Sequence, residues 1–382
     1  MKLPTKKLAV ALAAFGLSTA ALADITIGVS VSATGPGAVL GGPQKNTTEL
    51  FPTSFAGEKI NWVVLDDASD PTNTAKNIAK FITETKVDVI MAGTTTPGVM
   101  AAAGPAAESK TPLIALAPNR LDGEKFKWAF TMPQPIGLMA EPLLEHAKSK
   151  GYKTLAFLGY HPDAYGEAWI KTLEPMAGKY GITFGPIEGF ARTDTSVTGQ
   201  VLKLMSVKPD AVIVVASGAP AAMAHSSLSE RGYKGQIYQT HGAPSPVFLK
   251  NGGKAVENGV IVAGPLLEWE QLPDSHLSKK VGAEYAKAYE GKYGKDSLSS
   301  FGGHMWDGWA ITSRAIPVAL KKAKPGTEAF RVALRDAIES EREIAGVHGV
   351  FNFSPTDHSG FDSRGRVLLQ VQGGAFKVIS TK

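Results

Sequence analysis

Lys86-Val87-Asp88-Val89-Ile90 and Lys208-Pro209-Asp210-Ala211-Val212 are two versions of one pattern, and their continuations run in parallel. The first leads through a small-residue turn to a helix carrying Met100-Ala101 and a second strand at Leu113. The second leads through Ser217-Gly218 to a helix carrying Met223-Ala224 and a second strand at Gln236. A strand-turn-helix-strand unit that occurs twice predicts two similar α/β lobes with parallel sheets. In open parallel sheets the ligand crevice lies beyond the carboxyl ends of the strands. Facing lobes therefore set Thr94 to Thr96 and Ala117 opposite Ser217-Gly218 and His241, with a cleft between them.

Outward from these two segments, short apolar runs alternate with helical periodicity. Strand-like runs are Ile25 to Val31, Trp62 to Leu65, Val87 to Met91, Leu113 to Leu116, Leu155 to Leu158, Val212 to Val215 and Val260 to Ala263. Ala75, Ile78, Ala79 and Ile82 recur at i, i+3, i+4 and i+7 behind Asp70 as N-cap and Pro71 at the first helical position, which predicts a helix packed on a sheet. The last third changes character, with helical patterns around Lys279 to Tyr293, Gly308 to Lys322 and Thr327 to Ser340. Two strand-like runs follow, Val367 to Val371 and Phe376 to Ile379, and Gly373-Gly374 between them is a hairpin signal.

The chain has 382 residues, more than the ~250 to 300 at which one core usually divides, so two domains are expected. At the amino terminus Lys2, Lys6 and Lys7 precede an uncharged stretch from Leu8 to Leu22 closing on Ala21-Leu22-Ala23. That order of basic region, short apolar core and A-x-A site predicts a cleaved secretory signal peptide over residues 1–23. The apolar stretch is shorter than a membrane-spanning helix of about 20 residues, so release rather than anchoring is expected. There is no cysteine for a lipid linkage or a disulfide, and the core alone must hold the fold. The formal charge of +5 includes three leader lysines, leaving +2 of interspersed charge, which gives no argument for nucleic acid as a partner.

Several stretches taken together resemble the leucine/isoleucine/valine-binding family of periplasmic solute receptors over essentially the whole mature chain. They are Ile27-Gly28-Val29 with Thr34-Gly35-Pro36-Gly37-Ala38, then Leu65-Asp66-Asp67-Ala68-Ser69-Asp70-Pro71, Gly93-Thr94-Thr95-Thr96, and Ala164-Tyr165-Gly166-Glu167. The resemblance implies two Rossmann-like lobes joined by three hinge crossings, the type I periplasmic binding protein fold. The crossings are placed near Gln134, Leu266 and Phe351. One lobe then comprises residues 24–134 and 267–350, the other 135–266 and 351–382. The resemblance further implies a periplasmic, monomeric, non-enzymatic receptor that delivers a small molecule to the membrane permease of an ABC importer through transient contact, without a cofactor.

By the same resemblance, the ligand carboxylate is held by the loop that maps onto Thr95 and Thr96 and by the loop from Ala117 to Asn119. A Thr-rich turn at a helix N-terminus also presents N–H groups, hydroxyls and the positive end of a dipole to an anion on physical grounds alone. The competing reading, in which Thr94 to Thr96 only cap a helix, stays open. Amino-acid receptors of the family place a carboxylate before a glycine in the second lobe, but here that loop reads Gln239-Thr240-His241-Gly242, and Pro135 occupies a second acidic position. A buried ammonium would be left unpaired there. A hydrophobic or aromatic carboxylic acid is the expected ligand, with His241 offering one donor and one acceptor to a carboxylate or phenol oxygen; the alternative is that His241 satisfies only its own loop. Tyr165 and Trp306 map onto aromatic walls, although the spacing of Trp306, Trp309 and Ala310 also suits ordinary helix packing. Leu40 stands where a larger aromatic is common.

Other constellations are weak. Asp66, Asp67 and Asp70 lack the oxygen set and loop glycine of a calcium site, and His304 with Asp307, or His348 with Asp357 and His358, lack a further metal ligand at a recognised spacing. Gly35, Gly37 and Gly41 miss the dinucleotide spacing, and no G-x-S-x-G elbow or P-loop occurs. Ser217, His241 and Asp163 form a triad only by imagination, since their order matches no known one. A sensor on the same lobes would need a DNA-binding segment or a transmembrane one.

Overall fold

The computed structural model describes residues 24–381, so the leader read over residues 1–23 lies outside the described residues. The chain first builds β1 (Ile25–Val31), α1 (Ala38–Thr48), β2 (Ser54–Phe55), β3 (Glu58–Asp66), α2 (Pro71–Lys80), β4 (Val89–Ala92), α3 (Thr96–Glu108), β5 (Leu113–Ala115), α4 (Gly123–Trp128) and β6 (Ala129–Thr131). Their sheet has the order β2-β3-β1-β4-β5-β6, parallel throughout except for the antiparallel edge β2. Helices cover both faces, so β1 and β4 are nearly continuous apolar runs. Helix α2 begins as its sequence requires: Asp70 accepts from the Thr72 N–H at 2.7 Å, and Pro71, which has no N–H to satisfy, follows it.

The second lobe opens with α5 (Ile136–Ser149), β7 (Thr154–Tyr160), α6 (Ala164–Ala177), β8 (Thr183–Phe190), α7 (Thr198–Val207), β9 (Ala211–Val215), α8 (Gly218–Glu230), β10 (Gln236–Gln239), α9 (Pro246–Gly252) and β11 (Val260–Ala263). The chain returns to the first lobe with α10 (Leu277–Tyr293), α11 (Ser300–Leu320), α12 (Glu328–Glu339) and a small hairpin, β12 (Ile344–Gly346) and β13 (Gly349–Phe351). It ends in the second lobe with β14 (Val367–Gln372) and β15 (Ala375–Ser380), the hairpin that Gly373-Gly374 announced. The second sheet has the order β15-β14-β11-β10-β9-β7-β8, with β14 antiparallel to β11. Each lobe has its own large core, one around Phe157, Trp169 and Ile213, the other around Val29, Phe130 and Ile316.

The repeated aspartates do the same work in both lobes. Asp88, just before β4, accepts from the N–H of Thr26 in the neighbouring β1 at 3.1 Å. Asp210, just before β9, accepts from the N–H groups of Lys153 and Thr154 at the start of β7, at 2.8 and 3.0 Å. Each carboxylate staples the entry of the adjacent parallel strand, where a sheet leaves backbone donors without partners.

Gln134, between the lobes, gathers the crossings. Its side-chain amide donates to the carbonyls of His348 at 3.0 Å and Gly365 at 2.7 Å. Gly264, directly after β11, passes so close that a Cβ there would lie 2.6 Å from both the Gln134 amide nitrogen and the His348 ring. The second crossing is thus at Gly264, and Leu266 packs with Tyr285 and Tyr289 of α10. The third crossing is corrected. Phe351 and Phe353 belong to the first-lobe core, and the His358 carbonyl accepts from the Thr131 N–H at 2.9 Å, so the chain leaves that lobe only near Gly365. There Arg366 donates to the Leu138 carbonyl on α5 at 3.0 Å.

Candidate ligand cleft between the lobes

The carboxyl ends of β4 and β5 face those of β7, β8, β9 and β10 across a cavity between the lobes. Thr95, Thr96, Ala117, Tyr165, His241 and Gly242 all line it, as does Leu40. The three threonines after β4 divide their work. Thr94 accepts from the Ser32 N–H at 2.9 Å and donates to Gln44 at 2.6 Å, tying β1 and α1 to the loop. Thr96 donates its hydroxyl to the Pro118 carbonyl at 2.7 Å and closes the cavity floor. Thr95 caps α3 by accepting from the Gly98 N–H at 3.3 Å, which leaves its hydroxyl proton free, and it is the only half-exposed residue of the three.

Helix α8 repeats the arrangement from the other side. Ser217 is its N-cap without a side-chain capping bond, and Ser217 lines the cavity. Gly218 takes φ +55°, and a Cβ there would stand 2.6 Å from Val39 Cγ1 of the opposite lobe. Two helix N-termini, one from each lobe, therefore direct the positive ends of their dipoles into one space, although the Gly98 and Gly218 N–H groups are already given to Thr95 and to the Gly242 carbonyl. Arg192, two residues after β8, adds a full charge to the same wall. Its guanidinium holds Asp163 at 2.9 and 3.0 Å and lies 4.2 Å above the Tyr160 ring, with Nη1 outside the pair.

The remaining wall is apolar or neutral. Leu116, Pro118, Pro133 and Phe301 contribute hydrocarbon. Tyr165 donates its hydroxyl to Thr240 at 2.8 Å, and burial pushes its phenol up to about 12. Burial drives His241 down to about 3, with His348 adding to the effect, and drives His304 well below the usual imidazole range. No residue lining the cavity is acidic. Asp163 is engaged by Arg192 and by the Tyr165 N–H, and Glu268 lies in a different groove beside Gln271.

Two expected wall residues lie elsewhere. Asn119 turns away and donates to the Ala117 carbonyl at 3.2 Å and the Thr131 hydroxyl at 3.0 Å, bracing the loop against β6. Trp306 packs against Tyr285 at 5.0 Å and Phe51 at 6.1 Å, so its helix presents Phe301 and His304 to the cleft instead. Arg192, Phe301 and His304 were missed as wall residues. Position just beyond a strand end was the available signal for Arg192, but β8 itself went unread. His241 has no bond to Ser217 or Asp163, so those three residues are not assembled as a triad. Asp66 and Asp67 are spent on turn amides and hydroxyls, and no cluster suited to a metal occurs among the described residues.

Two doubly wound lobes that share three crossings and enclose one cavity define a bilobal ligand-binding protein. The chain belongs to the periplasmic binding protein family, whose profile matches residues 24–375. An extracellular ligand-binding receptor from Rhodopseudomonas palustris HaA2 is 45% identical, with a TM-score of 0.92 over 94% of this chain and 100% of its own. A protein of Rhodopseudomonas palustris strain CGA009 is also 45% identical, with a TM-score of 0.91 over the same shares. The type I fold is shared with a leucine-binding protein from Thermotoga maritima, at 22% identity and a TM-score of 0.77 over 93% of this chain and 98% of that one. It is shared as well with an ABC transporter solute-binding protein from R. palustris in complex with benzoate, at 18% identity and a TM-score of 0.80 over 94% and 96%. No curated protein matches the chain. No helix among the described residues is long and apolar enough to cross a membrane.

Proposed function

We propose that this chain is the periplasmic capture subunit of an ABC importer, closing as a monomer on a small hydrophobic or aromatic carboxylate and passing it unchanged to a membrane permease. One observation carries the reading: two helix N-termini and Arg192 face an apolar cavity whose lining contains no acid. An anion gains from the dipoles and the guanidinium, whereas a ligand ammonium would lose its hydration with no carboxylate to replace it. The benzoate held by one structural neighbour is a ligand of this chemical class. The leader-like first residues agree with export.

Capture of a branched-chain amino acid is the second reading, favoured by the fold shared with leucine-type receptors. A thermal-shift screen of aromatic and aliphatic acids against leucine, isoleucine and valine separates the two. A ligand at about 100 times its Kd stabilises the folded state by roughly 2.7 kcal/mol. A rise in Tm with the acids is expected; a rise with the amino acids alone selects the second reading.

A further inference from the structure

The carboxylate reading, carried by the helix termini and Arg192, leaves open what two imidazoles on the cavity wall pair with. His241 comes from the second lobe after β10 and His304 from the first lobe on α11, and both line the cavity. They are only 6% and 4% exposed. Neither ring nitrogen of His241 has a hydrogen-bond partner, nor does Nδ1 of His304.

Their neighbours offer none. Around His241 stand the rings of Tyr165 at 6.2 Å and Trp169 at 5.9 Å, and the Tyr165 hydroxyl is already given to Thr240. His304 lies against the His348 ring at 4.2 Å and Phe301 at 6.3 Å. His348 is itself held 3.2 Å from Asp307, so the contact fixes the plane of His304. Arg192, the one cation on the wall, gives Nε and Nη2 to Asp163, and its remaining Nη1 is the group that the carboxylate reading assigns to the acid. A buried neutral imidazole presents one donor and one acceptor, and buried polar atoms are nearly always satisfied.

Resting on the carboxylate reading of the cleft, we propose that His241 and His304 form a subsite for a hydroxyl on the ligand, so that the receptor selects hydroxylated acids over their unsubstituted parents. A hydroxyl is the smallest neutral group that can both accept from an imidazole N–H and donate to an imidazole nitrogen, so it can satisfy either ring. An ammonium only donates, and brings a charge that no wall residue balances. A plain hydrocarbon leaves the nitrogens unpaired, and sites built to hydrogen-bond a hydroxyl discriminate strongly against analogues that lack it.

Calorimetry with benzoate and phenylpropionate against their 3- and 4-hydroxy derivatives tests this on the wild type, His241→Phe and His304→Phe. At least one hydroxy acid should bind about tenfold more tightly than its parent in the wild type, and that ratio should fall toward one in each variant. His241→Gln, which keeps a donor and an acceptor, should retain part of the preference and so separates a lost hydrogen bond from a damaged fold. Equal binding of parent and hydroxy acid by the wild type, or a preference that survives both Phe substitutions, overturns the subsite and leaves the carboxylate reading standing. Failure of every acid to bind overturns both.

Discussion

Among the cleft threonines only one hydroxyl proton is unspent, and that singles out Thr95. Thr95→Val removes a donor to a charged acceptor, an interaction of about 1.5 to 3 kcal/mol, so calorimetry should show affinity for an acid ligand falling about tenfold or more. Thr96→Val instead breaks the loop-closing bond to Pro118 and should lower Tm, with a smaller effect on affinity. The aspartates of the repeat make a second residue-scale test. Asp88 is buried, and desolvation outweighs the Thr26 and Gly326 amides and raises its carboxyl to about 6. Asp210, at the equivalent place but near solvent, is held below the ordinary range, first by the Lys153 amide. Because the folded pKa of Asp88 exceeds the unfolded value near 3.9, its contribution, on the order of 3 kcal/mol, is fully present below about pH 4 and lost as pH rises through 6. Carbon-detected titration of the aspartates should give Asp88 a midpoint near 6 and Asp210 one below 3.8; coincident midpoints would refute the burial argument. The repeat and the Thr-rich turn were legible because turn chemistry is local. Trp306 was not: successive helical residues are turned by about 100°, and the side of α11 facing the cleft depends on where the other lobe stands. Asn119 was misplaced for a different reason: its partner Thr131 lies on a strand too short to announce itself.

At the scale of elements, the approach of α8 to the opposite lobe is the most exacting contact. Gly218 combines φ +55° with a Cβ direction that meets Val39 across the cleft. Gly218→Ala should cost about 1 kcal/mol of fold stability through the left-handed backbone, and should further weaken ligand binding because the lobes are held apart at Val39. Adding Val39→Ala should recover affinity without recovering the backbone cost. Calorimetry and melting of the single and double variants read the two terms separately, and equal affinity in Gly218→Ala and wild type would show that the contact does not limit closure. The buried central strands were readable as unbroken apolar runs. Strand β8 was not, because an edge strand paired only to β7, half-exposed and interrupted by Gly185-Pro186, carries neither a continuous nor an alternating pattern. The hairpin β12–β13 was missed for its brevity, and with it the true third crossing, since Phe351 and Phe353 look no different in sequence whichever core receives them.

For the whole molecule, the cavity exists only while the lobes meet. Each lobe supplies one helix N-terminus and one imidazole, and the cleft rim is joined by such contacts as the Ser300 hydroxyl donating to the Pro244 carbonyl at 3.3 Å. A ligand shifts the population toward the closed form by the difference of its affinity for the two forms. On the proposed function that difference is expected to be large, because each lobe supplies only part of the cavity wall and opening readmits water. Gln134 binds the carbonyls of His348 and Gly365, and Gly264 passes against Gln134 and the His348 ring, so closure on a ligand is expected to bend these segments together as one hinge. Scattering on residues 24–382 should therefore show a radius of gyration near the ~21 Å of a compact chain this size at saturating phenylpropionate, and a larger value without ligand. An unchanged radius together with calorimetric binding would mean that the lobes stay closed and that the acid enters by local opening at the rim.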